Sequence, residues 1–244
     1  MKDWHQLDVD GKPVIAGNFE TPPKYIVVFL HGLRGESLLD AEAQPMRDLL
    51  ARYQVACICP QSPSPWWTDR VDPEFDGGTS SEVYLLASLL PWMRERWPSY
   101  RHFGLLGIGL GGQGALRLAF RHADLFPVVA AISPAIEYYQ LYGQGSSLDE
   151  MYTSKEQCRQ DTVPMHLHPS KQPPHVFYCC DPTDDHWFRG CDRLHEKMSA
   201  LGAVHESDLT TTAGGHGWPY FNAMAERTLR FLASGLTVES RRLL

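Results

Sequence analysis

The sequence predicts an α/β fold with a mostly parallel central sheet and helices on both of its faces. Short apolar, β-branched runs alternate along the chain with segments of helical periodicity. Runs that are apolar at nearly every position are typical of strands buried on both faces, and their alternation with helices favours one covered sheet. The predicted strands lie at 25–32, 55–60, 103–109, 128–134, 175–181 and, with a weaker pattern, 205–211.

Three segments between or after these strands predict helices. The first begins near Thr79, because Thr79-x-x-Glu82 has the spacing of a capping box and apolar residues follow at intervals of three and four. The second covers 191–201 and ends before Gly202, a typical residue after a helix C-terminus. The third covers 221–236, with leucines on one face.

Two segments do not belong to this alternation. The opening stretch WHQLDVDGKPVIAGNF predicts an antiparallel hairpin at the edge of the sheet. Residues 135–174 form the longest irregular region, with a short helix expected at Ser147-x-x-Glu150. An insertion between two core strands is expected to cover a site, so we predict a single domain over residues 1–244.

Composition and charge narrow the classes of function. The chain is 43% hydrophobic and 21% charged, which is ordinary for a soluble globular protein. Its net charge of −7 argues against nucleic acid or an anionic membrane surface as the main partner. The first residues lack the apolar core of a signal peptide, and the six cysteines lack C-x-x-C spacing. We therefore expect buried free thiols and a cytoplasmic protein without a membrane segment; a homodimer is left open.

The carboxyl ends of the predicted strands carry the residues of chemical interest, since ligands of open α/β sheets bind there. The first core strand ends in 31–33, a histidine, a glycine and a leucine, and the strand at 103–108 ends in Gly109. The segment 181–185 contains three aspartates, and His216 stands in a glycine-rich turn after the last strand. Gly109 stands where a sharp turn from a strand into a helix, the nucleophile elbow, would carry a nucleophile. The elbow, then an acid, then a histidine is the chain order of an α/β-hydrolase.

Two motifs resemble a known family. The sequence G-I-G-L-G-G-Q-G-A-L at 107–116 resembles G-H-S-M-G-G-H-G-A-L, the elbow of the esterase D and S-formylglutathione hydrolase-like branch of the α/β-hydrolases. The stretch GGHGWPYF is similar to the histidine segment of that branch, and PWW at 65–67 fits it as well. The resemblance covers roughly 25–236. It implies an α/β-hydrolase fold and a serine esterase for small carboxylic esters or thioesters. The sequence shows no signature of a cofactor or a metal site, so we expect neither.

The chain departs from this pattern at Gly109, the position of the nucleophilic serine. In the family's mechanism a serine attacks the acyl carbon, a histidine accepts its proton and an acid orients the histidine. The resemblance implies that His216 is the base. For the acid, Asp184 is favoured over Asp181, because the acid usually lies a few residues beyond the strand.

The oxyanion hole and the substrate pocket are the remaining parts of the site. The first needs only backbone N–H groups, and the second needs apolar surface. The resemblance implies an oxyanion hole from the backbone N–H groups of Leu33 and Leu110. The aromatic side chains after the strand ends either line the substrate pocket or pack beneath the insertion, and the sequence leaves both interpretations open. The candidate substrate-binding residues are His31, Trp66, Trp67 and Trp218.

Glycine at the elbow has a structural consequence and a chemical one. It adopts the strained elbow conformation at little cost, whereas a triad without its serine retains only ~10³–10⁴-fold catalysis over water. We therefore expect a protein nearly inactive as an esterase. Three explanations stay open: a serine-to-glycine variant, a natural pseudoenzyme that binds a ligand, or a His216–Asp pair that activates water or removes a proton without a nucleophile.

Two other motifs are less favoured. Residues 107–112 also match the dinucleotide-binding pattern G-x-G-x-x-G, but the next strand ends in Ser133-Pro134 and lacks the acidic residue that such sites require. His166 and His168 have a spacing compatible with metal binding, but their segment is proline-rich and has no matching ligands. A solvated loop is the favoured interpretation of that segment.

Overall fold

A computed structural model describes residues 4–18, 22–33 and 36–242. Within these ranges, eight strands form one sheet in the order β1-β2-β4-β3-β5-β6-β7-β8. The strands are β1 (Trp4–Val9), β2 (Lys12–Gly17), β3 (Tyr25–Leu30), β4 (Val55–Pro60), β5 (Gly104–Ile108), β6 (Val128–Ile132), β7 (His175–Cys179) and β8 (Glu206–Asp208). The predicted α/β class and all six predicted core strands are confirmed.

The sheet is parallel except at one edge. Strands β1 and β2 form an antiparallel hairpin, and β2 also pairs antiparallel with β4. Asp10 and Gly11 connect the hairpin with positive φ angles of 54° and 74°, as expected for a two-residue turn between twisted strands. The edge hairpin predicted from the opening stretch is therefore confirmed. All other strand pairs are parallel.

Helices cover both faces of the sheet. One face packs against helices that contain Met46, Leu50, Phe221 and Leu229. The other face packs against helices at 90–96, 109–121 and 188–200. The helices are α1 (Gln44–Arg52), α2 (Ser81–Tyr84), α3 (Leu90–Arg96), α4 (Gly109–Arg121), α5 (Leu148–Met151), α6 (Lys155–Gln160), α7 (Phe188–Ala200) and α8 (Trp218–Arg241). A π-helical segment, Leu85–Leu89, joins α2 to α3. Within the described ranges, no helix combines the length and apolar character of a membrane span.

The predicted capping box is wrong by one residue. Ser80, and not Thr79, precedes α2, and its hydroxyl accepts a hydrogen bond from the backbone N–H of Val83 at 3.1 Å. The carboxylate of Glu82 turns inward instead of returning to the helix start, and accepts from Arg121 Nε at 2.8 Å. The reason is electrostatic, since Glu82 is a counterion of a buried arginine.

That arginine is the centre of a buried charge cluster formed by Arg117, Glu82, Asp161 and Tyr152. Arg117 is 1% exposed and donates to Glu82 and, at 2.9 Å from Nε, to Asp161 Oδ1. The hydroxyl of Tyr152 donates to Asp161 Oδ2 at 2.7 Å. Asp161 and Tyr152 belong to the insertion at 135–174, so the cluster attaches the insertion to α4.

The carboxyl groups of this cluster are strongly acidic. Burial alone would raise their pKa values, but hydrogen bonds from His122 to Glu82 and from His166 to Asp161, together with the charge of Arg117, lower both pKa values to about 2. Both acids are therefore ionised at neutral pH beside a permanent cation.

Candidate active site

The elbow lies where β5 passes directly into α4. Gly109 has a φ of +54°, a conformation that favours glycine. Two residues later, a Cβ atom on Gly111 would lie 1.9 Å from the carbonyl oxygen of Leu30, so only glycine lets α4 begin this close to β3. The glycine-rich motif thus has a packing role, and it places position 109 at the carboxyl edge of the sheet.

The loop that carries His216 is held by Asp181. Its Oδ2 accepts hydrogen bonds from the backbone N–H groups of Ala213 at 2.6 Å and Gly215 at 2.9 Å, and its Oδ1 accepts from Thr183. Burial would raise the pKa of Asp181, but these bonds lower it to about 2. Asp181 therefore positions the histidine loop and makes no direct bond to the imidazole among the hydrogen bonds of the described residues.

Asp184 contacts the imidazole. Its Oδ2 lies 3.0 Å from His216 Nδ1, and its Oδ1 accepts from the backbone N–H groups of His186 and Trp187 at 3.0 Å each. Burial opposes ionisation, but the bonds from His216 and from the backbone lower the pKa of Asp184. Of the two predicted acids, Asp184 therefore has the geometry that orients His216.

The second ring nitrogen of the imidazole binds Glu36, which was not among the predicted site residues. His216 Nε2 lies 2.7 Å from Oε1 of Glu36, which is in the loop after β3. The second carboxylate oxygen, Oε2, accepts a hydrogen bond from the backbone N–H of Leu33 at 3.1 Å. One carboxylate thus binds both the predicted base and one predicted donor of the oxyanion hole.

This carboxylate lies where a serine side chain would project from the elbow. A Cβ atom on Gly109 would be 2.2 Å from Glu36 Oε2, and one on Gly32 would be 1.6 Å from the same oxygen. Both distances are shorter than any non-bonded contact. Glycine at 32 and at 109 therefore makes the space that the carboxylate fills.

His216 is consequently an ion-paired cation. Burial lowers its pKa, but the hydrogen bonds and charges of Asp184 and Glu36 outweigh burial and raise the pKa to about 9. At neutral pH the imidazole is protonated, and each ring nitrogen donates to a carboxylate.

The loop of Glu36 is anchored by its own hydrogen bonds. The backbone N–H of Glu36 donates to the carbonyl of Leu33 at 3.0 Å, and that of Ser37 donates to Asp40 Oδ2 at 2.8 Å. Arg47 Nη1 donates to the carbonyl of Asp40 at 2.7 Å. These bonds hold the backbone of Glu36 and of the residues that follow it.

The predicted substrate-binding residues are all largely buried. His31 is 8% exposed; its Nδ1 donates to the carbonyl of Gly32 at 2.8 Å, and its Nε2 accepts from the N–H of Ser62 at 3.1 Å. Burial lowers the pKa of His31, in keeping with the neutral ring that this bonding requires. Trp67 donates to the carbonyl of His31 at 2.9 Å. The hydrogen bonds of both side chains hold the start of the loop after β3.

The other two tryptophans join separate segments. Trp66 packs with Leu110 and Tyr138 and donates to Ser147 Oγ at 2.8 Å, so it seals the insertion against the start of α4. Trp218 begins α8 and donates to Asp40 Oδ2 at 3.3 Å. Packing explains these positions, and their predicted contact with a substrate stays a prediction.

Comparisons with known proteins agree with this architecture. A family model described as "Putative esterase" matches residues 54–232, a range that includes Gly109, Asp184 and His216 but not Glu36. The chain belongs to this esterase family. No curated protein matches the chain.

Solved structures show the same fold as this esterase-family chain at low sequence identity. An S-formylglutathione hydrolase from Agrobacterium tumefaciens is 14% identical with a TM-score of 0.74, covering 96% of this chain and 94% of that one. A ferulic acid esterase is 15% identical with a TM-score of 0.73, covering 95% and 97%. MPT51 from Mycobacterium tuberculosis is 16% identical with a TM-score of 0.70, covering 94% and 98%. The α/β-hydrolase fold implied by the sequence resemblance is confirmed.

Glu36 is the one residue at this site that sequence reasoning missed. The signal was present, since an acidic residue follows the predicted oxyanion-hole residue Leu33 by three positions. Only the backbone of that loop was considered, because an oxyanion hole needs only N–H groups.

Proposed function

We propose that this esterase-family protein is inactive, or nearly so, as a serine esterase, and that its site derives from one for small carboxylic esters or thioesters. The observation that carries the proposal is the carboxylate of Glu36, which lies beside Gly109 and 2.7 Å from His216 Nε2. A carboxylate at this point occupies the space in which an acyl group would react.

Three requirements of serine catalysis are unmet in this arrangement. Gly109 offers no hydroxyl to attack an acyl carbon. His216, whose pKa is about 9, is already protonated at neutral pH and has no free nitrogen to accept a proton. The Leu33 N–H, which would stabilise a developing oxyanion, already donates to Glu36.

Glu36 and Gly109 fit together as a pair. A side chain at 109 would collide with the Glu36 carboxylate, so the glycine and the glutamate are mutually compatible. A serine at 109 requires the end of the Glu36 side chain to move, so the observed position of this carboxylate and a serine at 109 exclude each other.

The second candidate function is nucleophile-independent chemistry by His216 and Asp184. The 3.0 Å contact between His216 Nδ1 and Asp184 Oδ2 supports it, since this pair is the one that orients a general base. Such chemistry requires Glu36 to leave Nε2 and the imidazole to lose its proton.

The test is hydrolysis of p-nitrophenyl acetate by the wild type, Gly109→Ser and the double variant Gly109→Ser/Glu36→Ala. We expect background rates from the wild type and partial recovery from Gly109→Ser. The double variant should recover on the order of 10³-fold or more over the wild type, since the serine, base and oxyanion hole are then all available. Glu42→Ala in the Gly109→Ser background is the matched control, because Glu42 is an exposed acid nearby in the chain.

Two results would contradict the proposal. Turnover by the wild type that disappears in His216→Ala would favour the second candidate function. Equal rates from Gly109→Ser and the double variant would mean that Glu36 does not obstruct the site.

A further inference from the structure

We propose that the space between Gly32, Gly109, Leu33 and His216 is a binding site for small carboxylate anions, and that Glu36 is its tethered occupant. The inference rests on the proposed function, because the absence of a serine at 109 leaves this space free. It goes further by naming the chemical class of ligand that the site takes. The chain's own carboxylate demonstrates the recognition.

The two oxygens of the bound carboxylate have separate donors. Oε1 is 2.7 Å from His216 Nε2, and Oε2 is 3.1 Å from the backbone nitrogen of Leu33. Both lengths are normal for hydrogen bonds, and the one from His216 is charge-assisted. A free carboxylate placed on these atoms would receive the same two bonds.

The charge-assisted hydrogen bond from His216 Nε2 favours a carboxylate over a neutral group. His216 lies between Glu36 and Asp184, and Asp184 is 2% exposed and bound by two backbone N–H groups. Asp184 therefore stays in place when Glu36 is displaced. A free carboxylate restores the second counterion of the imidazolium, whereas an amide or an alcohol does not.

The site opens to solvent without any rearrangement of the core. Leu33 is 45% exposed, and the side chains of Glu36 and His216 are 13% and 19% exposed. Glu36 leaves by rotation of its own side chain, while its backbone N–H keeps the bond to the carbonyl of Leu33, which does not involve the carboxylate. A carboxylate tethered this closely acts as a competitor at an effective concentration of about millimolar or above. The wild type should therefore bind free carboxylates weakly until Glu36 is removed.

The test is titration of sodium acetate into full-length Glu36→Ala, observed through the imidazole NMR signals of His216. Sodium chloride keeps the ionic strength constant. We expect a saturable shift of the His216 signals and an apparent Kd at least ~10-fold lower than in the wild type, because the tethered competitor is absent. Glu42→Ala should behave as the wild type, and acetamide should leave the His216 signals of Glu36→Ala unchanged.

Three outcomes overturn the proposal: no saturable shift in Glu36→Ala, equal acetate affinity in Glu36→Ala and the wild type, or equal binding of acetamide and acetate. If Glu36→Ala does not fold, Glu36→Gln provides the same test, since acetate then displaces a neutral amide and should bind more tightly than in the wild type. Ester hydrolysis by the wild type would contradict the proposed function alone, because the acetate titration is interpreted without reference to turnover.

Discussion

Two regions of this molecule hold a cation between two carboxylates, but the two arrangements differ in their role. In the buried charge cluster, Arg117 lies between Glu82 and Asp161 and is 1% exposed. In the candidate active site, His216 lies between Asp184 and Glu36, and its side chain is 19% exposed. The first pair of acids attaches α2 and the insertion to α4, whereas the second includes one acid on a loop that faces solvent.

The difference lies in whether the cation and its partners can change. An arginine stays protonated at any physiological pH, and both acids of its cluster are shielded from water. A histidine gains or loses its proton, and among the described residues two hydrogen bonds hold the side chain of Glu36. The same arrangement of charges is therefore a permanent clamp in one place and an exchangeable site in the other.

The largest expected effect comes from breaking the clamp. Arg117→Met leaves the carboxylates of Glu82 and Asp161 buried without a counterion, so we expect the free energy of unfolding to fall by about 3–5 kcal/mol. Urea denaturation measures it. Arg159→Met is the control, because Arg159 pairs with Glu156 on the surface and its loss should lower the free energy of unfolding far less. Similar losses in both variants would contradict a structural role for the cluster.

Acid should remove the same clamp in the wild type. Glu82 and Asp161 have pKa values of about 2 in the folded chain, against ordinary values of 4.5 and 3.8. Groups with a lowered pKa stabilise the fold above their unfolded pKa, and this stabilisation is lost as the pH falls through the folded value. We expect urea midpoints to drop between about pH 4.5 and pH 2, and to drop less in Arg117→Met. A wild type with the same midpoint across this range would argue against the cluster.

The ion pairs of His216 with Asp184 and Glu36 should lose their contribution to stability at the opposite, alkaline end of the pH scale. His216 has its pKa raised from 6.5 to about 9, so the stabilisation is fully present below pH 6.5 and is lost as the pH rises to about 9. We expect a loss of up to about 3 kcal/mol across this window in the wild type, and a smaller one in Glu36→Ala. Thermal denaturation at pH 6 and pH 9.5 compares the two. Identical pH dependence in both proteins would mean that Glu36 does not hold the proton on His216.

The sequence was sufficient for most of the fold and for the outline of the site. Continuous apolar runs identified the buried strands, because a strand covered on both faces has no polar side. The order of residues at the strand ends predicted that Gly109, Asp184 and His216 belong to one site. These are local patterns, and a single sequence contains them.

What the sequence did not predict depended on contacts across the fold. The sequence favoured Asp184 over Asp181 as the partner of His216, but it did not predict that Asp181 holds the histidine loop through the N–H groups of Ala213 and Gly215. The cap of α2 is Ser80 and not Thr79, and Glu82 binds Arg117 instead of the helix start. Glu36 reaches position 109 from a different strand end, and no short motif encodes that encounter.

The most direct test is the pKa of His216 in solution, measured by NMR titration of its imidazole signals in the wild type and in Glu36→Ala. We predict a pKa of about 9 in the wild type, because Glu36 and Asp184 both bind the ring, and a clearly lower pKa in the variant. A wild-type pKa near the ordinary value of 6.5, unchanged by the substitution, would mean that Glu36 does not occupy the site.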